Sequence, residues 1–182
     1  MTLPNWITFS RLLGIPFLLY LLYSPDPKFQ WICVAIFLVA SLTDWLDGYL
    51  ARKLNQISDL GKFLDPLVDK FLVLAPLLVL IELGQVPAWG VFLILARELA
   101  IAGWRVSQPK VTGANIWGKL KTVSQIVAIA LLIAPLSQEW RLFSLIVFWI
   151  SVALTLISGV IYLLPSNNSE ASDSQKAEVE KN

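Results

Sequence analysis

The sequence predicts an all-α membrane protein, six transmembrane helices in one bundle, and three observations carry that prediction. Of 182 residues, 57% are hydrophobic and only 15% charged, with a mean hydropathy of +0.69. That is too little charge for a soluble domain of this length. The apolar residues fall in runs close to the roughly 20 residues that cross a hydrocarbon core. The breaks between runs are short turns such as Ser24-Pro25-Asp26-Pro27 and Gly84-Gln85-Val86-Pro87, which make successive helices antiparallel neighbours.

The six runs cover approximately 5–23, 29–50, 62–82, 87–106, 117–136 and 141–164. The first ends in Tyr23-Ser24-Pro25-Asp26-Pro27 with no small-residue cleavage site behind it, so it reads as a retained span rather than a removed signal peptide. The second contains Cys33, the only cysteine, which excludes an internal disulfide and reads as a lipid- or core-facing filler. Pro66 is expected in the first turn of the third run, where its missing N–H costs little. Arg97-Glu98 interrupts the fourth, and Gly118-Lys119-Leu120-Lys121-Thr122 opens the fifth. After the sixth the character changes. Residues 1–164 form the bundle, and 165–182, beginning Pro-Ser-Asn-Asn-Ser-Glu, are a polar tail unable to bury a core and expected to be disordered.

Of the fourteen Lys and Arg, only Lys28 and Arg141 belong to the three turns that would share one side. The positive-inside bias therefore puts both termini, and the acidic stretch described next, in the cytoplasm. Trp31, Trp45, Trp89, Trp104, Trp117 and Trp140 fall near span ends, as an interfacial aromatic belt requires.

The chemistry is concentrated between residues 44 and 69. Asp44, Asp47, Gly48, Ala51, Arg52, Gly61, Asp65 and Asp69 read D-x2-D-G-x2-A-R-x8-G-x3-D-x3-D. On a helix Asp44, Asp47, Gly48 and Ala51 form one stripe, and Gly61, Asp65 and Asp69 another at i, i+4 and i+8. The loop 52–60 allows only a turn, so two facing acidic stripes are expected, backed by small residues that leave room against the backbone. Four carboxylates in apolar sequence demand compensation. The chain has no histidine, which leaves carboxylates as the available bases and ligands. Oxygen-only ligation suits two hard divalent cations, Mg²⁺ or Mn²⁺, in the two-ion arrangement that serves phosphoryl transfer. Solvated aspartates at a helix end, or pairs with Arg52, Lys62 and Lys70, are the structural alternative.

These eight positions resemble, without deviation, the signature of the CDP-alcohol phosphotransferase family. The resemblance implies that Asp44, Asp47, Asp65 and Asp69 are metal ligands and that Asp69 is also the base that deprotonates the attacking hydroxyl. It further implies that Asp44, Gly48, Ala51, Arg52, Gly61 and Asp65 bind the CDP-diacylglycerol donor, Arg52 at its diphosphate. A homodimer is implied in the same way.

The acceptor has to be read from other cations. Arg97, Arg105, Lys119 and Lys121 are expected at the level of the aspartates, where they would attract a phosphate monoester. Arg11, Asn5 and Thr8 are weaker members of the same group. Topology signals at the lipid headgroups, an Arg97–Glu98 ion pair that holds the bundle, and Asn5 as a helix cap are the competing readings. Pro4-Asn5-x2-Thr8-x2-Arg11, Arg97-Glu98-x6-Arg105 and Gly118-Lys119-x-Lys121-Thr122-x2-Gln125 resemble the family's phosphatidylglycerophosphate synthases. That resemblance implies sn-glycerol 3-phosphate as acceptor, with phosphatidylglycerophosphate and CMP as products. Expected partners are these substrates, membrane lipids and a second copy of the chain, with no nucleic acid. A sibling activity on inositol phosphate, serine or phosphatidylglycerol is the alternative, and a metal-ion transporter is the alternative from another class.

Overall fold

A computed structural model describes residues 3–54, 59–107 and 116–163, with side chains for 9–44, 67–104 and 116–163. The described residues form six helices and no strand: α1 (Leu3–Leu22), α2 (Pro27–Leu54), α3 (Asp59–Glu82), α4 (Ala88–Ser107), α5 (Ile116–Ile133) and α6 (Gln138–Leu163). The expected tail beyond Leu164 lies outside the described residues.

Local chemistry sets the helix ends. Asp26 caps α2: its Oδ1 accepts from Lys28 N at 2.9 Å and its carbonyl from Phe29 N at 3.0 Å, with Pro27 at the first helical position. At the end of α3, Gly84 takes φ +66°, which a Cβ would disfavour. Gln85 N then reaches Leu80 O and Gly84 N reaches Ile81 O, both at 2.9 Å, closing a Schellman motif. One expectation is corrected here. Because α3 begins at Asp59, Pro66 lies two turns inside the helix rather than in its first turn. An acidic residue at the start of a helix is favoured by its dipole, which supports the earlier beginning.

Two contacts define one end of the bundle. Tyr23 Oη donates to Glu82 Oε2 at 2.5 Å, joining the ends of α1 and α3, and Arg141 Nη2 donates to Gly84 O at 3.2 Å, joining the start of α6 to the α3–α4 turn. The last turns of α2, α4 and α6 and the first turns of α3 and α5 therefore gather at the opposite end. α1 packs against both α2 and α3, α4 against α6, and α5 mainly against α6. Between them lies an apolar core in which Phe37, Leu77, Leu80, Ile94, Ile129 and Phe148 are fully buried. Cys33 belongs to it, as the filler reading expected.

The exterior is as apolar as the core. Leu13, Tyr20, Leu142 and Ile116 are each exposed, which suits lipid rather than water. Trp31, Trp89 and Trp140 are exposed at the first turns of α2, α4 and α6, and Trp104 and Trp117 at the other end, so aromatic side chains ring both rims. Among the described residues three helices are long and apolar enough to cross a membrane by themselves: Pro27–Asp44, Ile116–Ile133 and Gln138–Leu163. Among the described residues α1 adds the apolar stretch Phe9–Leu22, while α3 carries the charges Asp69 and Lys70 and α4 carries Arg97 and Glu98.

Candidate active site

The site is assembled at the end of the bundle where α2 stops and α3 starts. Asp44, Asp47, Gly48 and Ala51 fall at i, i+3, i+4 and i+7 of the single helix α2, with Arg52 following, and Gly61, Asp65 and Asp69 lie on the first half of α3. The side chains of Asp47, Arg52 and Asp65 lie outside the described ones, as do those of Asn5, Thr8 and Arg105. Asn5 is the third residue of α1, inside the helix rather than at its cap.

Asp44 is half-buried and forms an ion pair with Arg11 of α1, whose guanidinium is buried. Asp69 is half-buried and lines a narrow cavity with Lys70, Val73 and Leu74 of its own helix, Glu98 of α4, and Lys121, Thr122 and Gln125 of α5. Asp44, Lys121, Glu98 and Arg11 are all near enough to act electrostatically on Asp69. Asp44 and Asp69 thus come near each other, and α1 mediates much of the approach, since α2 and α3 touch each other less than either touches α1.

The predicted cations separate into different environments. Lys121 is buried, and its Nζ donates to Glu98 Oε1 at 2.5 Å on the cavity wall. Lys119 is exposed at the first turns of α5. Arg97 does not line the cavity. Its Nη2 donates to Ser158 Oγ of α6 at 2.8 Å and its Nη1 to Glu98 Oε1 at 3.2 Å. Neither Ser158 nor Thr155 is among the site residues expected from the sequence. The available signal was a small and polar stripe, Ser151, Thr155, Ser158 and Gly159, at i, i+4, i+7 and i+8 of an otherwise apolar helix.

Residues 1–157 match the family model described as CDP-alcohol phosphatidyltransferase. The chain belongs to that family. It is 41% identical over 190 residues to the CDP-diacylglycerol–glycerol-3-phosphate 3-phosphatidyltransferase of Bacillus subtilis, covering 93% of this chain and 96% of the relative. The protein of the same name from Haemophilus influenzae is 33% identical over 175 residues, covering 92% and 94%. A probable phosphatidylglycerophosphate synthase of Mycobacterium tuberculosis is 39% identical over 166 residues, covering 88% and 79%.

Membership in the CDP-alcohol phosphatidyltransferase family makes this an enzyme, and with its three apolar helices a membrane protein. The family's use of divalent cations can be tested against the donors present. Among the described residues no three carboxylate, thiol or imidazole side chains gather into a metal group, so a full ligand set needs Asp47 and Asp65. Both stand on the helices that already bring Asp44 and Asp69 together, one turn from each. Four carboxylates and no histidine fit hard, oxygen-seeking cations.

Proposed function

We propose that this enzyme transfers the phosphatidyl group of CDP-diacylglycerol to sn-glycerol 3-phosphate, giving phosphatidylglycerophosphate and CMP. The observation that carries the reading is one cavity with Asp69 on one wall and the buried Lys121 ammonium on another. A base for a hydroxyl and a cation for a phosphate are what a phosphorylated alcohol requires of its site. The names of the relatives at 33–41% identity support the same donor and acceptor.

In this reading Lys121 holds the acceptor's phosphate, and Lys119 and Arg105 add positive charge that attracts it. Asp69 accepts the proton of the acceptor's C1 hydroxyl as that oxygen bonds to the phosphorus carrying diacylglycerol. The bond from that phosphorus to the CMP oxygen breaks, and CMP departs with the electron pair. Gly48, Ala51 and Gly61 are assigned to the nucleotide, and Arg52 to its diphosphate. Asp44, Asp47, Asp65 and Asp69 would hold two Mg²⁺ or Mn²⁺ ions, whose contribution is neutralisation of the diphosphate and of the departing charge. Arg11 holds Asp44 in place, and Thr8 and Asn5 stand one and two turns before it on α1.

All six helices cross or enter the bilayer in this reading, with the charged turns of α1, α3 and α4 facing the bundle. Both termini and the site face the cytoplasm, where twelve of the fourteen Lys and Arg are expected. The chain functions as a homodimer, and residues 165–182 are a cytoplasmic extension outside the chemistry. Purified full-length chain given CDP-diacylglycerol and labelled glycerol 3-phosphate should yield a phosphorylated lipid and one CMP per lipid. If only inositol phosphate, serine or phosphatidylglycerol is converted, the acceptor assignment is lost.

A further inference from the structure

Six side chains, joined by hydrogen bonds and by the helical backbone between Lys121 and Gln125 and at Thr155, form a ring across α4, α5 and α6. Glu98 Oε1 accepts from Lys121 Nζ at 2.5 Å, and one turn along α5 Gln125 Nε2 donates to Thr155 Oγ1 at 2.9 Å. On α6, Ser158 Oγ donates to Thr155 O at 3.3 Å and accepts from Arg97 Nη2 at 2.8 Å. Arg97 Nη1 returns to Glu98 Oε1 at 3.2 Å. Proton supply fixes the directions. The single hydroxyl proton of Thr155 goes to Ser151 O at 2.7 Å, so Thr155 accepts from Gln125, and Ser158 likewise accepts from Arg97.

Only one edge of this ring, formed by Glu98, Lys121 and Gln125, meets the Asp69 cavity. A carboxylate on the wall of a phosphate site would repel its ligand if left alone. Here its charge is shared by two cations, so Arg97, Glu98 and Lys121 together carry one net positive charge. A lysine ammonium on a four-carbon stem is also mobile. Asp69 lies within electrostatic reach of it across the cavity. Without Glu98 the ammonium would be free to swing onto Asp69.

We propose that Arg97 and Glu98 are positioning residues that hold the Lys121 ammonium at the cavity wall for the acceptor's phosphate, so that acceptor affinity is set from α6 by Ser158 and Gly159. This rests on the proposed acceptor being a phosphorylated alcohol. It replaces a direct Arg97–phosphate contact, since the guanidinium fork is occupied by Ser158 and Glu98.

Gly159 provides the test, because it lies outside the cavity. A Cβ there would stand 3.0 Å from Arg97 Cγ and 3.1 Å from Arg97 Nε. With its guanidinium pinned at both ends, Arg97 can yield only by loosening the ring. Gly159→Ala and Ser158→Ala, purified as full-length chains, should each raise the KM for glycerol 3-phosphate roughly five- to thirtyfold, the factor expected for one weakened charged hydrogen bond. The KM for CDP-diacylglycerol and kcat should stay within about twofold, the pattern of lost ground-state binding. Ser158→Thr, which keeps the hydroxyl, should restore most of the affinity, and Val160→Ala, on the exposed face of α6, should match the parent. Arg97→Lys keeps the charge, loses the fork and adds no bulk, and should behave like Ser158→Ala. If thermal stability falls in Ser158→Ala and Arg97→Lys while the KM for glycerol 3-phosphate does not move, the ring is merely structural and the proposal fails. A parent chain that does not consume glycerol 3-phosphate at all removes the proposed function itself, a result separate from any difference among variants.

Discussion

Arg11 of α1 and Asp44 of α2 form an ion pair 33 positions apart in sequence, with the arginine side chain 5% exposed and the aspartate 29%. The pair locks α1 to the helix that carries the first aspartate stripe, and it compensates one of the four carboxylates within the protein itself. Removing one member strands the other in a largely buried place, which typically costs about 3–5 kcal/mol where both groups are fully buried and less where one is part-exposed. Arg11→Gln should therefore lower the thermal midpoint in detergent, by roughly 2–4 kcal/mol of stability. Asp44→Asn in the same background should add little further loss, because the two changes remove one interaction. Strictly additive losses would show that the pair does not couple the helices.

Of the two described carboxylates that line the cavity, Glu98 is taken by Lys121 and Arg97, which leaves Asp69 for proton transfer. Asp69→Asn keeps its shape and removes both its basicity and its charge. CMP release should fall by at least about a thousandfold, within the 10²–10⁴ range of a lost general base with a ligand lost besides. The variant should remain folded, since Asp69 is among none of the ion pairs of the described residues. A variant retaining a tenth of parental turnover would take the base role away from Asp69.

The metal assignment predicts a simple reversal. EDTA should stop CMP release from purified chain, and adding Mg²⁺ or Mn²⁺ in excess should restore it, because a carboxylate set without histidine binds hard cations exchangeably. Turnover that persists through exhaustive chelation would leave the four aspartates without the role assigned to them.

Much of this arrangement was legible from residue spacing. The capping aspartate, prolines and glycines of the turns mark helix ends within a few residues, because each acts through its own backbone geometry. Asp44 and Asp69 were foreseen on converging stripes because helical periodicity is a local property. What periodicity does not encode is who stands across from whom. That α1 would lie against both α2 and α3, bringing Arg11 onto Asp44, depends on packing between segments joined only through turns. Arg97 shows the same limit. It was expected either as a phosphate ligand or paired with Glu98; the pair forms, and the fork also goes to Ser158, 61 positions away, through a contact that no spacing rule contains. The charges that interrupt α3 and α4, Asp69 and Lys70 and Arg97 and Glu98, were visible in the same way.

The far end of the bundle supplies a control for the ring. A Cβ on Gly90 of α4 would stand 2.7 Å from Phe148 Cε1 and 2.8 Å from its Cζ, and Phe148 is fully buried. The glycine is what lets α4 and α6 approach there, in the manner of small residues at close helix crossings. Gly90→Val inserts a branched side chain into that contact and should destabilise by about 2–3 kcal/mol, the usual scale of overpacking. Because Gly90 begins α4 beside the turn that Arg141 anchors, and the cavity lies toward the other end, the folded fraction should keep the parent's KM for glycerol 3-phosphate. Thermal midpoints and acceptor titrations on Gly90→Val and Gly159→Ala should therefore part company. Both glycines serve the same α4–α6 seam, but only the one touching Arg97 should reach the acceptor. A raised KM in Gly90→Val as well would mean that any strain in the seam disturbs the site, and the specific path through Arg97 and Glu98 would be lost.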